Sequence, residues 1–169
     1  MRKIVFATNN KHKLDEIRNI LMNSFEVLGL SDIGYHEDIP ETGITLTENA
    51  SIKSHAIYNK FKIDCFSDDS GLEIDVLDGK PGVYSARFAG ESKNDADNIT
   101  LLIKLLDRKT NRKAVFRTVM AFRLEGKTHY FEGQVQGEIT LEPMGEKGFG
   151  YDSVFKPLGY NKTFAQMDA

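Results

Sequence analysis

The sequence has little of what membrane insertion, disulfide formation or general nucleic-acid binding needs. No apolar run in its 169 residues approaches the roughly 18–20 that a membrane-spanning helix requires. The single cysteine, Cys65, cannot form an internal disulfide, and its apolar neighbours favour a small core residue over a catalytic thiol. Acidic residues (25) outnumber lysine and arginine (22), which argues against a general nucleic-acid binder. These absences predict a cytoplasmic protein whose partners include neither membranes nor nucleic acids.

The chain does have the composition of an ordinary globular domain, with 40% hydrophobic and 28% charged residues. Apolar residues recur with helical spacing at 12–22, 46–61 and 95–107. Strand patterns occur at 2–8, 72–76, 113–124 and 129–139, the last two joined as a hairpin by a short link containing glycine. Strands interleaved with helices predict an α/β fold in a single domain over residues 1–169. The late hairpin indicates a mixed sheet.

A first candidate site lies where the first predicted strand ends and the first helix begins. It consists of Thr8, Asn9, Asn10, Lys11, His12 and Lys13. Such a junction directs backbone N–H groups, polar side chains and lysines toward one point, which suits phosphate. The same residues would equally serve a capped helix with solvated lysines. The segment is not a Walker loop, because the glycine-rich stretch and the Lys-Ser/Thr pair are missing.

A second candidate is the acidic segment Ser67-Asp68-Asp69-Ser70-Gly71, just before the predicted strand at 72–76. Its carboxylates, with Glu41 and Glu48 earlier in the chain, are hard oxygen ligands of the kind that Mg²⁺ prefers. One of them could also take a proton from water. The alternative interpretation is an acidic turn, since Asp, Ser and Gly are favoured in turns.

Two further segments have weaker signals. Glu48, Ile52 and Lys53 fall near one side of the helix predicted at 46–61, with Lys53 one turn beyond Asn49, although taken alone a solvated charged face explains them better. Residues 148–152 place two aromatic rings among glycines, which could let a flat base approach and stack, or could form a hairpin with buried aromatics.

Five segments together resemble one enzyme family. They are Thr8-x-Asn10-x-x-Lys13, Glu48-Asn49-Ala50-x-x-Lys53, Asp68-Asp69-Ser70-Gly71-Leu72, Pro81-Gly82-Val83-Tyr84-Ser85-Ala86-Arg87-Phe88-Ala89-Gly90 and Gly148-Phe149-Gly150-Tyr151-Asp152. In this order, across nearly the whole chain, they closely resemble the non-canonical purine nucleoside triphosphate pyrophosphatases, also called inosine triphosphate pyrophosphatases. Each motif is modest by itself, but five in sequence argue against coincidence.

The resemblance implies a long, twisted mixed β-sheet flanked by helices, in two lobes with a central substrate cleft, usually in a homodimer. It implies hydrolysis of ITP, dITP and XTP to monophosphate and pyrophosphate, with Mg²⁺ as cofactor, which removes these purine nucleotides from the nucleotide pool. The implied proton acceptor is Asp69, and the implied metal ligands are Glu41, Asp68 and Asp69. The implied nucleotide contacts are Thr8, Asn9, Asn10, Lys11, His12, Lys13, Lys53, Ser70, Arg87, Phe149, Gly150, Tyr151 and Asp152.

The sequence departs from this family after residues 163–167. The family usually continues into a further helix carrying a lysine and a Ser-His-Arg triplet that contact the base, whereas the sequence here ends at Ala169. We therefore expect either a domain that lacks the C-terminal helix and the Ser-His-Arg segment, or a sequence that is part of a longer chain. Base discrimination is affected more than hydrolysis, since the phosphate-side and metal-side motifs are all present.

Two alternative functions fit parts of the pattern. One is a Maf-type pyrophosphatase, which would act on other modified or standard nucleotides with the same architecture. The motifs at 68–71 and 149–152 favour the purine family instead. The other is a nucleotide-binding module without turnover, against which Asp69 and the lysines argue.

Overall fold

The computed structural model describes residues 1–168. Within them, the helices are α1 (Lys11–Leu21), α2 (Leu46–Phe61) and α3 (Asp95–Leu105). The strands are β1 (Arg2–Phe6), β2 (Phe25–Leu28), β3 (Cys65–Ile74), β4 (Pro81–Gly82), β5 (Lys113–Leu124), β6 (Lys127–Ile139) and β7 (Phe155–Pro157). No helix in this part of the chain is long and apolar enough to cross a membrane.

The strands of the described residues form one mixed sheet in the order β2-β1-β3-β5-β6-β7, with β4 paired to β3. Strand β1 runs parallel to β2 and to β3. Strand β3 is antiparallel to β4, and β6 is antiparallel to β7. The prediction of an α/β fold with a mixed sheet is therefore confirmed.

The predicted hairpin is formed by β5 and β6 around a two-residue turn. Glu125 and Gly126 both have positive φ, at 48° and 80°. Positive φ at both central residues is the mark of a type I′ turn, whose twist matches that of the flanking strands. The glycine supplies one of these two conformations without steric cost.

The sequence-based boundary of β3 was wrong, because the acidic segment lies inside the strand and not in a turn before it. Strand β3 begins at Cys65, which pairs with Val5 of β1. Residues such as Asp and Gly have low intrinsic preference for strands, but their place in a strand that lies between β1 and β5 in the sheet overrides that preference. The short strands β2 and β7 also escaped prediction.

The contacts divide the described chain into two compact units, and the chain passes between them within β3, β5 and β6. Unit 1 contains Met1–Asp69 and Val119–Glu132, and unit 2 contains Ser70–Thr118 and the segment from Gly133 onward. In unit 2 the core is built from β3, α3 and the last segments of the chain. Its largest fully buried side chains are Leu72, Ile74, Leu102, Leu106, Ile139, Val154 and Phe155.

The core of unit 1 has two layers, one on each face of β1. Ile4 and Phe6 pack in a cluster that includes side chains of α1. Val5 and Ala7 pack in a second cluster that includes Ile57 of α2. Successive strand residues point to opposite faces, so even-numbered residues of β1 face α1 and odd-numbered residues face α2.

Candidate active site

The junction of β1 and α1 is held by its own polar side chains. Asn10 is the N-cap of α1, and its side-chain oxygen accepts a hydrogen bond from the Lys13 backbone N–H at 3.2 Å. The hydroxyl oxygen of Thr8 accepts from the Asn10 N–H at 3.1 Å. Asn9 donates to Asp38 at 3.4 Å, while Lys11 and His12 are exposed at the start of the helix. The junction is thus a capped helix, with the Lys13 side chain reaching inward.

Lys13 links this junction to the acidic segment of β3. Its Nζ lies 2.5 Å from Oδ2 of Asp68. The Asp68 side chain is 5% exposed and that of Lys13 is 20% exposed. Burial of this kind requires that the charges be paired, since an isolated buried carboxylate is strongly disfavoured. In the structure, Lys13 of this junction and Asp68 of the acidic segment therefore lie together.

Asp68 and Asp69 diverge because they are neighbours in a strand. The register pairs Phe6 with Phe66, which places even-numbered residues of β3 on the α1 side and odd-numbered residues on the α2 side. Asp68 accordingly meets Lys13 of α1, whereas Asp69 accepts a hydrogen bond from Asn49 of α2 at 3.1 Å. This arrangement does not support Asp68 beside Asp69 on one metal ion.

Glu41 and Lys53 form the second ion pair of this region. Nζ of Lys53 lies 2.5 Å from Oε1 of Glu41, with side-chain exposures of 13% and 26%. Burial raises the pKa of the Asp69 carboxyl above its ordinary value. The charge of Lys53 opposes that rise and the charge of Glu41 adds to it, so both groups lie within electrostatic range of Asp69. Glu41, Lys53 and Asp69 therefore form one charged cluster.

Glu48 uses one carboxylate oxygen to cap the start of α2. Its Oε2 accepts from the N–H groups of Ile44 and Thr45, at 2.7 and 3.2 Å. The Thr45 hydroxyl accepts in return from the Glu48 N–H at 3.1 Å, which completes a capping box. Between Glu41 and Glu48, the structure favours Glu41 as a candidate metal ligand.

The oxygen donors of the cluster determine whether it fits magnesium. Among residues 1–168 no three His, Cys, Asp or Glu side chains are grouped so as to hold a metal ion by themselves. Mg²⁺ is usually bound through one or two carboxylates, with water and substrate phosphates as the other ligands. Glu41 and Asp69 meet that lesser requirement, because a cation near them would offset both the burial and the mutual repulsion that raise the Asp69 pKa.

In unit 2, Ser70 and Arg87 have different neighbours. The hydroxyls of Ser70 and Thr118 lie 2.8 Å apart. Arg87 ends a short 3₁₀ turn, Ser85–Arg87, and its guanidinium lies over the Tyr84 ring at 5.2 Å from the centroid. The turn is anchored by Ser85, whose hydroxyl donates to the Gly82 carbonyl at 2.6 Å. Arg87 is thus presented by a fixed turn.

The loop at 148–152 is a tightly bonded turn. Asp152 accepts from the Phe149 N–H at 3.0 Å, and Asp95 accepts from the Gly150 N–H at 2.7 Å. Gly148 has a φ of 76°, and a Cβ there would lie 2.2 Å from an Asp152 carboxylate oxygen. Only glycine fits this approach.

Tyr151 belongs to the core of unit 2 and not to its surface. It is 4% exposed, and its hydroxyl donates to the Ser85 carbonyl at 2.8 Å. Burial raises the pKa of this phenol. A buried ring offers no face to a base, so we assign Tyr151 the task of joining the loop to the turn of Arg87. Phe149, which is half-buried, is the ring that stays a candidate for stacking.

Sequence reasoning missed the side chains that hold the predicted site residues in place. In unit 1 the side chain is that of Asn49, which belongs to one of the five motifs but has no predicted role. In unit 2 these are the side chains of Thr118 and Asp95, which bond to Ser70 and Gly150, together with the Ser85 backbone carbonyl, which accepts from Tyr151. Asn49 could have been noticed as an amide beside an apolar helical stripe, where a buried polar group requires partners.

Known proteins match this chain over nearly its whole length. The Ham1 family model matches residues 4–169. A dITP/XTP pyrophosphatase of Flavobacterium psychrophilum is 51% identical over 165 residues, covering 98% of this chain and 87% of that relative. A dITP/XTP pyrophosphatase of Porphyromonas gingivalis is 48% identical over 168 residues, covering 99% and 87%. The solved structure of the Staphylococcus aureus Ham1 protein has a TM-score of 0.88 at 40% identity, covering 99% of this chain and 87% of that one.

Proposed function

This chain belongs to the Ham1 family, as its five motifs predicted, and we propose that it hydrolyses purine nucleoside triphosphates such as dITP, XTP and ITP to monophosphate and pyrophosphate. The observation that carries the proposal is the cluster of Asp69, Glu41 and Lys53 in unit 1, with Lys13 nearby. It combines partly buried carboxylates with cations, the groups that hydrolysis of a phosphoanhydride requires.

In the proposed reaction Asp69 orients a water molecule and accepts its proton as the oxygen attacks the α-phosphorus. The bond from that phosphorus to the bridging oxygen breaks, and pyrophosphate leaves with the bonding electrons. Lys13 and Lys53 stabilise the negative charge that grows on the leaving side. Both ammonium groups are already fixed by carboxylates, so they are positioned before a substrate arrives.

We propose Glu41 and Asp69 as the residues that hold Mg²⁺. When bound, the ion neutralises phosphate charge and so lowers the barrier to attack by water. Asp68 has the separate task of holding Lys13 from the opposite side of β3. The contribution of these residues is to place negative charge where a cation and a water molecule are needed.

The residues of unit 2 are proposed to contact the nucleotide as the resemblance implies. Phe149 offers a partly exposed ring, and stacking on an aromatic ring is tolerant of base identity. Arg87 offers a guanidinium that suits phosphate oxygens. Ser70 offers a hydroxyl at the point where β3 enters the unit.

The deciding experiment is product analysis with purified protein and a panel of triphosphates. The panel contains dITP, XTP, ITP, ATP, GTP and a modified pyrimidine triphosphate, each with and without Mg²⁺. We expect pyrophosphate and monophosphate from the first three in the presence of Mg²⁺. Orthophosphate as the first product would mean attack at the γ-phosphorus and would refute the mechanism, whereas preference for the pyrimidine would support a Maf-type activity.

We also propose that the protein acts in the cytoplasm as a homodimer. The support for self-association is the exposure of apolar side chains on β6, where Tyr130 is 49% and Phe131 is 62% exposed. Successive strand residues point to opposite faces, so Phe131, the more exposed of the two rings, is the one proposed to contact the partner. Sedimentation equilibrium of the wild type and of Phe131→Glu tests this, since a dimer that uses this strand should dissociate in the variant.

A further inference from the structure

Asn49 of α2 is fully buried and forms hydrogen bonds in two directions. Its exposed fraction is 1%. The side-chain Nδ2 donates to Oδ2 of Asp69 at 3.1 Å, and the side-chain Oδ1 accepts from the Gly43 N–H at 2.8 Å. A carboxylate only accepts and a backbone N–H only donates, so these partners fix which end of the amide faces which. Asn49 thus bridges β3 and the loop that leads from Glu41 into α2.

We propose that Asn49 is a positioning residue for the hydrolysis proposed above, holding the Asp69 carboxylate and the loop of Glu41 in one fixed arrangement. The inference rests on that proposed function, because it assigns to Asn49 the orientation of its proton acceptor. The amide is suited to this because it has a donor and an acceptor on one short, planar group. Aspartate would keep the acceptor and lose the donor, and leucine would lose both.

The helix gives the bridge its geometry. Asn49 and Lys53 are four residues apart, so they lie one above the other on the same side of α2. Asn49 bonds to Asp69, and Lys53 bonds to Glu41. One helical face therefore holds both proposed metal ligands, one through a neutral amide and the other through an ammonium group.

Gly43 supplies independent support, because its position leaves no room for a side chain. A Cβ there would lie 2.6 Å from Cβ of Glu48 and 2.7 Å from Oδ1 of Asn49. Contacts shorter than 3.0 Å essentially never occur at a real Cβ, so the loop approaches Asn49 as closely as only glycine permits. The loop and the amide therefore fit each other tightly, as a positioning contact requires.

A purely structural role is the competing interpretation, since buried amides commonly satisfy backbone groups. The two roles differ in what they change. A structural residue affects stability in proportion to its lost bonds, whereas a positioning residue lowers kcat through Asp69 while KM stays nearly constant. Misplacement of a reacting group by about 1 Å can cost about 10²-fold in rate.

The test uses Asn49→Asp, which keeps the bond to Gly43, and Asn49→Leu, which has similar size but neither bond. The substrate is the most active triphosphate of the panel, with Mg²⁺ present. We expect kcat to fall roughly 10- to 100-fold in both variants, with KM changed less than about threefold. Ile57→Val, a buried truncation on the same helix, is the control for lost stability and should keep kcat within about twofold.

A double-mutant cycle with Asp69→Ala separates action through Asp69 from other effects. If Asn49 acts by orienting Asp69, Asn49→Leu costs little further activity in the Asp69→Ala background. Equal losses in both backgrounds would overturn the proposal, as would unchanged kcat in both single variants. A crystal structure of Asn49→Leu gives a readout that needs no activity. We expect the Asp69 carboxylate to be displaced in this variant, and an undisplaced carboxylate would overturn the proposal whether or not the wild type is active. A wild type that releases no pyrophosphate would count against the proposed function only.

Discussion

Replacing Lys53 with methionine gives the sharpest test of the charged cluster in unit 1. Methionine keeps an unbranched side chain of similar length, so the substitution removes the charge with little change of packing. In the structure the ammonium lies 2.5 Å from Glu41, and its side chain is 13% exposed. Its charge also opposes the rise in the Asp69 pKa. Lys53→Met therefore removes a cation shared by two carboxylates.

The size of the effect follows from the kind of bond that is lost. A hydrogen bond to a charged group contributes about 1.5–3 kcal/mol. If Lys53 bonds a phosphate group in the transition state, its loss lowers kcat/KM by roughly 10- to 150-fold, at about 1.36 kcal/mol for each factor of ten. We expect KM to rise and kcat to fall together, because a lysine on the phosphates serves both the bound substrate and the transition state.

Lys60 on the same helix provides a matched control. It pairs with Glu37 at 2.6 Å, but the two side chains are 46% and 69% exposed. Exposed pairs contribute roughly 0–1 kcal/mol to stability. Lys60→Met should therefore leave kcat/KM within about twofold of the wild type.

The assay is steady-state release of pyrophosphate over a range of substrate concentrations, with both variants checked by thermal unfolding. A variant that melts like the wild type but turns over slowly locates the effect at the site. Equal kinetics for Lys53→Met and Lys60→Met would refute the reasoning, since it would make Lys53 an ordinary surface residue. An unchanged KM in Lys53→Met would remove its proposed contact with phosphate.

Four further outcomes are expected. Asp69→Asn keeps the shape but loses the proton acceptor, so turnover should fall by about 10² or more while nucleotide still binds in equilibrium dialysis; comparable kcat would assign the base to another carboxylate. Burial raises the pKa of the Cys65 thiol to about 12, against 9.0 for an ordinary thiol, so a thiol reagent at pH 8 should modify it only after unfolding. The unfolded chain loses the thiol proton at lower pH than the folded chain does, so the free energy of unfolding should decline as pH rises from about 9 toward 12. Urea titrations should show a smaller decline for Cys65→Ala than for the wild type. Phe149→Ala should raise KM for ITP and ATP alike, because stacking does not distinguish purines, and a change for ITP alone would show that this ring reads the base.

Local sequence patterns were sufficient to predict the helices and strands that are determined by residues close together in the sequence. Helix α2 occupies 46–61 as predicted, because Thr45 and Glu48 form a capping box at its start. Strand β5 occupies 113–124 as predicted, and the glycine of the link identified the hairpin. Strand β3 could not be bounded in this way. It begins at Cys65 because that residue pairs with Val5 of β1, about sixty positions earlier, and in the sheet β3 lies between β1 and β5, so its bounds depend on pairing between distant parts of the chain.

The same limit applied to the site. The sequence shows that Asp68 and Asp69 are adjacent, but it could not show which helix each carboxylate contacts. That depends on which face of β3 packs against α1 and which against α2. Likewise the motif around Tyr151 could not distinguish an exposed ring from a buried one, because both occur among glycines in loops.

The two ion pairs have a consequence for how a triphosphate would bind. Lys13 is held by Asp68 and Lys53 by Glu41, so both of these lysines already have an anionic partner. Phosphate oxygens would compete with those carboxylates, and binding would be an exchange of partners more than a gain of new ones. The exchange is more favourable where the abandoned carboxylate gains another cation, as Glu41 would beside a bound metal. Asp68 lies on the opposite face of β3 from Asp69, so we expect the Lys13 ammonium to contact Asp68 and phosphate at the same time. The Lys53 ammonium can instead leave Glu41 and bind phosphate alone. On this argument the metal dependence of substrate affinity should be carried mainly by the Glu41–Lys53 side of the cluster.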